Sequence, residues 1–342
     1  MKRFLASVLA MALVMMYLPA LAVTINDPDL PDGEKYQYQA STTVTFNLRE
    51  EADRDSKKIR EIKKGSTVYV VEYGDEWCLI EQGNYQGYAQ TSWLFMFKTT
   101  DPYKYPIHGY DAPYGMGEML EPFHTKKLAG NSGNYSGNEL AVGQKLAVHR
   151  YDSETDVATI LVWKSYIDLP AGTVKVTKFV PYDEAKPGDM IAGYTTYMSS
   201  IYGRPYHFQR QHNIALVIKK LQGAEVKSGE LFSFLSYAAP VTSANGYKYA
   251  RVAGGDGFGY GGGICQISVL TRSAILALPV IVKAWYMHQD EGTVYTTQIC
   301  DATVGTRRDF TFYNMLDYPI SMEYSQDGGD PGVMNLFIYR AE

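Results

Sequence analysis

The sequence predicts a mixed fold in which an all-β barrel, a β-rich connecting region and an α+β domain follow one another. A chain of 342 residues is long enough for two or three domains. Short alternating strands separated by turn residues fill residues 44–97, whereas apolar residues at helical spacing first appear after residue 190. With 46% hydrophobic and 20% charged residues, the composition is that of globular domains with buried cores.

Charge and aromatic content narrow the range of partners. The 32 Lys and Arg residues are outnumbered by 37 Asp and Glu residues, which gives a net charge of −5 and no overall positive field for nucleic acid. The 29 Tyr residues exceed the 13 Phe and 4 Trp residues together. Tyr rings suit strand faces and contacts with sugars or peptides, and we expect most of them to fill strands. Nucleic acid is therefore not expected as a partner.

The N-terminus carries the pattern of an export signal. Lys2 and Arg3 precede an apolar stretch over residues 4–18, and residues 20–22 (Ala-Leu-Ala) form a small-residue cleavage pattern. We therefore expect residues 1–22 to be a signal peptide. An uncleaved membrane anchor is the alternative, although the stretch is short for a bilayer span. No later stretch is long and apolar enough to span, so the expected mature chain is secreted and has no membrane span.

Composition and strand spacing divide the remainder into four segments. Residues 23–35 carry Asp, Pro and Gly without periodicity and indicate a linker. The barrel is expected over residues 36–98. A stretch rich in Pro, Tyr and Gly then opens a β-rich connecting region over residues 99–187, to which no role is assigned. The α+β domain is expected over residues 188–342.

The cysteine count excludes a disulfide scaffold. Only Cys78, Cys265 and Cys300 are present, so at least one thiol is unpaired. Cys78 lies in a strand-like apolar run and is expected in a core. Cys300 is able to pair with Cys265, which would make that thiol structural or redox-regulated. The histidines lack metal-ligand spacing, so no metal or cofactor is expected.

Several spaced positions in the barrel resemble the bacterial SH3-type domain. They are residues 47–49 (Asn-Leu-Arg), 64–65 (Lys-Gly), 74–77 (Gly-Asp-Glu-Trp), 87–89 (Gly-Tyr-Ala) and 93–94 (Trp-Leu). The resemblance covers about residues 36–98. It implies binding of cell-wall peptides or glycans, and a role as a spacer is the alternative.

A glycine-rich segment leads into an apolar helix expected over residues 265–278. Seven glycines lie among residues 254–263, a density that indicates special backbone geometry or close approach. The segment lacks both the Lys-Ser/Thr of a phosphate loop and the dinucleotide-binding spacing. It places Cys265 in the first helical turn, where the helix dipole and free backbone N–H groups stabilise a thiolate.

His288 and Asp301 follow Cys265 in the order of a nucleophile, its base and an orienting acid. In this interpretation Gln266 or a backbone N–H of the glycine turn would stabilise the oxyanion. The alternative is structural: Cys265 would pack under the glycine turn and His288 would be a loop residue in water. Sequence order alone leaves both interpretations open, because such triads are defined by geometry.

Many positions of the last domain match one family pattern in order. They are residues 193–197 (Gly-Tyr-Thr-Thr-Tyr), 210–214 (Arg-Gln-His-Asn-Ile), 229–234 (Gly-Glu-Leu-Phe-Ser-Phe), 246–247 with Ala250, 261–268 (Gly-Gly-Gly-Ile-Cys-Gln-Ile-Ser), His288, 301–304 (Asp-Ala-Thr-Val), Asp309, Phe312 and Asn314. Through these positions, about residues 188–325 resemble the VanW family, which is named after an accessory protein of vancomycin-resistance clusters. Residues 269–272 and 286–287 depart from the family pattern by losing hydroxyl and polar groups, but Cys265 and His288 match it. The resemblance implies association with the Gram-positive cell wall and leaves the biochemical activity unassigned.

A second set of residues is expected to bind substrate. Arg210 and Asn213 match the family's Arg-x-x-Asn and share one face of a helix predicted around residues 212–220. Arg210 would hold a carboxylate of a stem peptide through a bidentate contact, or alternatively anchor a helix end through an ion pair. The remaining candidates are Tyr247, Gly261, Gly262 and Gly263.

Two functions are compatible with the sequence. One is a secreted, cell-wall-associated hydrolase or acyltransferase in which Cys265 attacks an amide or ester of peptidoglycan or an attached polymer. The other is a non-catalytic cell-wall-binding protein in which the SH3-type barrel and the VanW-like domain both bind polymer. Either way, the expected partner is peptidoglycan or an associated polymer.

Overall fold

The computed structural model describes residues 23–124, 139–198, 206–252, 257–288, 295–327 and 332–342. The predicted signal peptide at residues 1–22 lies outside the described residues, as do residues 253–256 of the glycine-rich segment. Among the residues described, no helix is long and apolar enough to cross a membrane.

The N-terminal barrel is a seven-stranded antiparallel sheet around one apolar core. Its strands are β1 (Tyr38–Thr42), β2 (Phe46–Arg49), β3 (Lys58–Ile62), β4 (Thr67–Glu72), β5 (Trp77–Gln82), β6 (Tyr85–Gln90) and β7 (Leu94–Thr99). They are ordered β3-β2-β6-β5-β4-β1-β7. Alternate residues of β1, β2, β4 and β5 face the core, as the period of two in the sequence predicts. Cys78 is fully buried in this core.

The connecting region consists of three small antiparallel sheets, ordered β11-β8-β15, β12-β13-β14 and β10-β9. Their bounds are β8 (Gly115–Met119), β9 (Phe123–His124), β10 (Glu139–Leu140), β11 (Lys145–Val148), β12 (Arg150–Asp152), β13 (Val157–Val162), β14 (Ser165–Leu169) and β15 (Val174–Lys178).

The last domain is α+β, which confirms the predicted fold class. Its elements are β16 (Met190–Tyr197), α1 (His207–Leu221), β17 (Ala224–Val226), β18 (Leu231–Ser233), α2 (Phe234–Ala238), β19 (Tyr249–Arg251), β20 (Phe258–Tyr260), α3 (Ile264–Ile275), β21 (Val280–Ala284), β22 (Thr311–Asn314), β23 (Ile320–Asp327) and β24 (Val333–Arg340). The described strands form three sheets, ordered β16-β24-β23-β17, β18-β22-β21 and β19-β20.

Both predicted helices exist with different ends. Helix α1 begins at His207, earlier than the apolar spacing predicts, and this extra turn includes Arg210, which bonds Gln266 on α3. Helix α3 ends at Ile275 rather than near residue 278. Pro279 disfavours helical geometry at the residue before it, Leu278, and β21 begins directly after this proline.

Strand β16 is buried on both faces because different elements cover each side. Helices α1 and α3 pack on the sheet of β16, β24 and β23 from one side. The connecting region covers the other side: the Ala147 N–H donates to Thr195 Oγ1 at 2.6 Å, and Asn335 Nδ2 donates to the Lys145 carbonyl at 2.9 Å. This double coverage explains why burial is continuous along β16.

The barrel also contacts the last domain directly. The Phe97 ring of β7 stacks on Trp285 with ring centroids 4.9 Å apart, and Lys98 Nζ donates to the Lys283 carbonyl at 2.7 Å. In the predicted linker, Asp27 forms an ion pair with Lys283 and accepts a hydrogen bond from the Tyr313 hydroxyl at 2.6 Å. Strand β21 and the adjoining Trp285 are thus held by the barrel and by the segment that precedes the barrel.

Candidate functional site

Three glycines, at residues 261–263, form the turn that connects β20 to α3. Gly261 and Gly263 have φ angles of +78° and +109°, which favour glycine. A Cβ atom on Gly262 would clash with the Arg251 carbonyl, and one on Gly263 would lie 2.8 Å from Arg210 Cγ. Gly263 is the N-cap of α3, so Cys265 lies in its first turn. The backbone geometry is therefore suited to placing a thiolate at a helix N-terminus.

The Cys265 side chain, which follows this turn, is partly buried. Its Sγ atom lies 3.4 Å from the Val304 carbonyl oxygen and 3.7 Å from Thr303 Oγ1. Burial raises the pKa of the thiol, but hydrogen bonding and charge interaction with His288 outweigh this effect and the net pKa is lowered. The thiolate form is thereby favoured.

His288 and Asp301 are held in contact by two hydrogen bonds. His288 Nδ1 lies 2.6 Å from Asp301 Oδ1, and the His288 backbone N–H donates to Asp301 Oδ2 at 2.8 Å. Because Nδ1 is bound to the carboxylate, Nε2 is the ring nitrogen left to face Cys265. Burial lowers the pKa of His288, but the bonds to Asp301 and Cys265 outweigh it and raise the pKa to about 9. The structure thus brings the three predicted residues together in the order nucleophile, base and orienting acid.

A group of buried residues that sequence reasoning missed supports Asp301. Trp285 Nε1 donates to the Asp301 carbonyl, and Arg272 Cζ lies 4.4 Å from the Trp285 ring centroid. The fully buried Arg272 donates from Nε to the Ile299 carbonyl at 2.7 Å and from Nη2 to the Phe97 carbonyl at 3.2 Å. A lone arginine inside an apolar helix was the available sequence signal, since buried arginines need partners.

Gln266 is placed differently from the oxyanion donor that the sequence suggested. Its side chain is buried, and its amide Nε2 donates to Thr196 Oγ1 at 3.1 Å and to the Tyr197 carbonyl at 3.0 Å. Both amide hydrogens are used, so the amide has none left for a substrate oxygen. Its Oε1 accepts from Arg210 Nη2 at 2.7 Å, which holds the partly exposed Arg210 beside the first turn of α3.

Asn213 and Tyr247, predicted to bind substrate, are buried. Asn213 Nδ2 donates to the carbonyls of Lys248 and Gly262 at 3.0 and 3.1 Å, and its Oδ1 accepts from the Lys248 N–H. The Tyr247 hydroxyl donates to the Ala238 carbonyl. These side chains fix the backbone around the glycine turn from behind and do not contact solvent. Of the predicted substrate-binding set, Arg210 and the glycine turn lie beside the first turn of α3.

The structure holds Cys78, Cys265 and Cys300 as free thiols, so Cys265 and Cys300 are not linked. Cys300 is buried, and burial raises the pKa of its thiol. Across the described ranges, His, Cys, Asp and Glu side chains form no group of three or more that would hold a metal.

The barrel carries a separate groove on its surface. It has a volume of about 330 Å³, and its walls include aromatic rings and two arginines. The Trp93 ring lies 5.0 Å from Phe46 and 6.2 Å from Trp77, measured between centroids. The lining residues are Thr45, Phe46, Asn47, Arg49, Arg54, Trp77, Gln90 and Trp93.

Comparison with known proteins agrees with both resemblances. Residues 209–334 match the model of VanW like protein, and residues 42–95 match the model of the bacterial SH3 domain. The chain is also 33% identical over 139 residues to the uncharacterized protein YoaR of Bacillus subtilis strain 168. That match covers 40% of this chain and 44% of YoaR, so the chain spans less than half the length of that relative.

The C-terminal part of the chain is thus similar to VanW-like proteins, and the N-terminal part is similar to the bacterial SH3 domain. The two domains together indicate a cell-wall-associated protein.

Proposed function

We propose that the protein is a secreted cell-wall enzyme that transfers or hydrolyses an acyl group through Cys265. The observation that carries the proposal is the contact series from Cys265 to His288 to Asp301, with the thiol in the first turn of a helix. The VanW-like and SH3 domains support a wall polymer as the substrate class, and the apolar leader at residues 1–22 supports export.

The reaction follows from the atoms present. The Cys265 thiolate attacks the carbonyl carbon of an amide in the polymer and forms a carbon–sulfur bond. The Cys265 backbone N–H stabilises the oxyanion, because the Gln266 side-chain amide and the Ile264 and Gln266 backbone N–H groups are already engaged in hydrogen bonds. The carbon–nitrogen bond breaks, the His288 imidazolium donates its proton to the leaving amine, and a thioester remains.

The thioester is resolved by a second attack. Water or an acceptor amine attacks the carbonyl carbon and loses a proton to His288, and the carbon–sulfur bond breaks to restore the thiolate. Water gives hydrolysis and an amine gives transfer. Arg210, held beside the site by Gln266, is suited to bind a carboxylate near the scissile bond.

The SH3 groove favours a second candidate, a non-catalytic wall binder. Its aromatic walls and its Arg49 and Arg54 would accept a carboxylate-bearing peptide of the wall. In that case the glycine turn would shape a binding surface and Cys265 would have no chemical role.

The alkylation rate of Cys265 against pH tests the enzyme. The full mature chain is treated with iodoacetamide between pH 5 and 9, and labelling is located by peptide mass spectrometry. Cys78 serves as an internal control because it is buried and its thiol pKa is raised. We expect rapid labelling of Cys265 at pH 6 that is lost in His288→Ala.

Turnover is tested on purified cell wall. Release of new amines or of cross-linked fragments that requires Cys265 supports the enzyme. Slow labelling that rises only at alkaline pH, together with wall sedimentation unchanged in Cys265→Ala, would instead establish the binder.

A further inference from the structure

Four exposed aromatic rings form a cluster beside the glycine turn. The cluster, here the aromatic platform, consists of Tyr206, Tyr249, Phe258 and Tyr260. These side chains are 39%, 47%, 40% and 48% exposed. Tyr206 lies 5.1 Å from Phe258 and 6.2 Å from Tyr249, and Tyr249 lies 5.7 Å from Tyr260, measured between ring centroids. Adjoining aromatic rings exposed to this degree indicate a binding surface, because such rings are otherwise buried.

The hairpin of β19 and β20 separates this platform from the core. Tyr249 pairs with Tyr260 and Arg251 pairs with Phe258, so these four side chains share one face. The opposite face carries Ala250, which is fully buried and faces Gly262. Arg251 is exposed on the same face as the rings. The platform is therefore aromatic, with one cation at its edge.

Direct contacts connect the platform to the candidate site on two sides. Tyr260 directly precedes the Gly261–Gly263 turn. Asn213 on α1 holds this turn by donating a hydrogen bond to the Gly262 carbonyl. Tyr206 is the N-cap of α1, and its carbonyl accepts from the Arg210 N–H at 3.0 Å. Arg210 in turn bonds Gln266, the neighbour of Cys265. The platform is thus connected to the first turn of α3 through bonded neighbours on both sides.

We propose that the aromatic platform binds the sugar rings of a glycan strand and thereby presents the acyl group carried by that strand to Cys265. This inference rests on the proposed function for its substrate class. A pyranose ring has an apolar C–H face that packs on an aromatic ring, and its hydroxyl rim can bond the Tyr hydroxyls. Arg251 at the edge suits the carboxylates that a peptide-bearing amino sugar carries.

Binding is measured in the full mature chain carrying Cys265→Ala, so that no turnover interferes. The probes are chitohexaose, a neutral amino-sugar oligomer, and muramidase-released wall fragments, which carry carboxylates. We expect the Tyr249→Ala, Tyr260→Ala double variant to bind both probes at least about tenfold more weakly by calorimetry. Tyr249→Phe should retain chitohexaose binding because the ring is kept. Arg251→Gln should weaken binding of the wall fragments and leave chitohexaose unaffected.

The matched control is Tyr85→Ala, which removes a ring of similar exposure from the barrel and should change neither affinity. Unchanged binding of both probes by the double variant would overturn the inference. The inference would also be overturned if sedimentation velocity showed a wild-type dimer that the double substitution dissociates while sugar binding persists.

Iodoacetamide labelling of Cys265 in the chain that retains the thiol distinguishes the two proposals. An activated thiol in the double variant leaves the enzyme proposal intact, whereas an inactive thiol in the wild type removes that proposal without touching sugar binding.

Discussion

The three cysteines show how residue environment sets thiol chemistry. Cys78 and Cys300 lie in apolar cores, where burial raises the pKa of each thiol. Cys265 is partly buried, yet the neighbouring His288 lowers the pKa of its thiol. One cationic partner therefore reverses the effect of burial, because it stabilises the charged form that burial destabilises.

Removing the carboxylate of Asp301 should weaken the effect of His288 on the pKa of Cys265. In Asp301→Asn the imidazolium loses its anionic partner, so the pKa of His288 should fall from about 9 and that of Cys265 should rise. We expect iodoacetamide labelling of Cys265 at pH 6 to slow at least about tenfold, since one pKa unit is a factor of ten in thiolate. Asp309→Asn is the control, because Asp309 bonds Ser233 and the Leu235 N–H rather than His288. An unchanged rate in Asp301→Asn would show that the carboxylate does not activate the pair.

At the scale of elements, the barrel strand β7 supports the strand that leads to His288. Phe97 stacks on Trp285, Arg272 bonds the Phe97 carbonyl and packs over Trp285, and Trp285 bonds the Asp301 carbonyl. Since Asp301 positions His288, the SH3 domain is connected by direct contacts to the candidate triad.

Substitution of Phe97 tests this connection. Phe97→Ala should shift the pH profile of Cys265 labelling towards alkaline pH, because Trp285 loses the ring that holds it against Asp301. Phe97→Leu, which keeps apolar bulk, should show a smaller shift with less loss of stability. Tyr103→Phe is the control, since it removes an interdomain hydrogen bond to the Met315 carbonyl and leaves Trp285 untouched. If both Phe97 variants keep the wild-type profile, the barrel does not position the triad.

The glycine turn should tolerate no side chain at Gly262. An alanine Cβ there meets the Arg251 carbonyl and Ala250, which are backbone and core atoms that cannot move freely. We expect Gly262→Ala to lower the free energy of unfolding by more than about 2 kcal/mol. Gly83→Ala, in an open barrel turn where a Cβ meets nothing within 4 Å, is the comparison, and its cost comes from its positive φ alone. Similar losses in the two variants, measured by urea unfolding, would contradict close packing at Gly262.

At the scale of the whole molecule, the free energy of unfolding depends on the charge states of Cys265 and His288. The pKa of His288 is raised from 6.5 to about 9, so its contribution to stability is full below pH 6.5 and is lost as the pH rises to about 9. Cys265 has the opposite sign: its lowered pKa contributes stability above its ordinary value of 9.0, and this contribution is lost as the pH falls. Between pH 6.5 and 9 the two effects oppose each other.

Cys265→Ala removes the opposing contribution of the thiol and part of the rise in the His288 pKa, while Asp301 still raises that pKa. We therefore expect this variant to lose stability with rising pH more steeply than the wild type across this window. Urea unfolding at pH 6.5, 7.5 and 9 measures the slope. Adding Asp301→Asn should flatten the slope, because the pKa of His288 then returns towards its ordinary value. Parallel slopes for the wild type and Cys265→Ala would indicate a neutral thiol in the folded chain.

Local pattern in the sequence was sufficient for the fold class and the two domain resemblances. It also singled out Cys265, His288 and Asp301, which lie together in the structure. Strand alternation, helical spacing and a glycine turn before a helix are short-range properties, so they can be read along the chain. The same local reading placed Gln266, Asn213 and Tyr247 in contact with substrate, because it shows the type of a side chain but not its direction.

Tertiary structure decided how these side chains are used. The Gln266 amide is engaged by β16, and Asn213 and Tyr247 are buried behind the glycine turn. Tyr206, the N-cap of α1, meets the exposed rings of the hairpin of β19 and β20. Phe97 of the barrel reaches the triad through Trp285 and Arg272. Such contacts join residues far apart in the chain. They depend on how the sheets and helices pack, which no local period encodes.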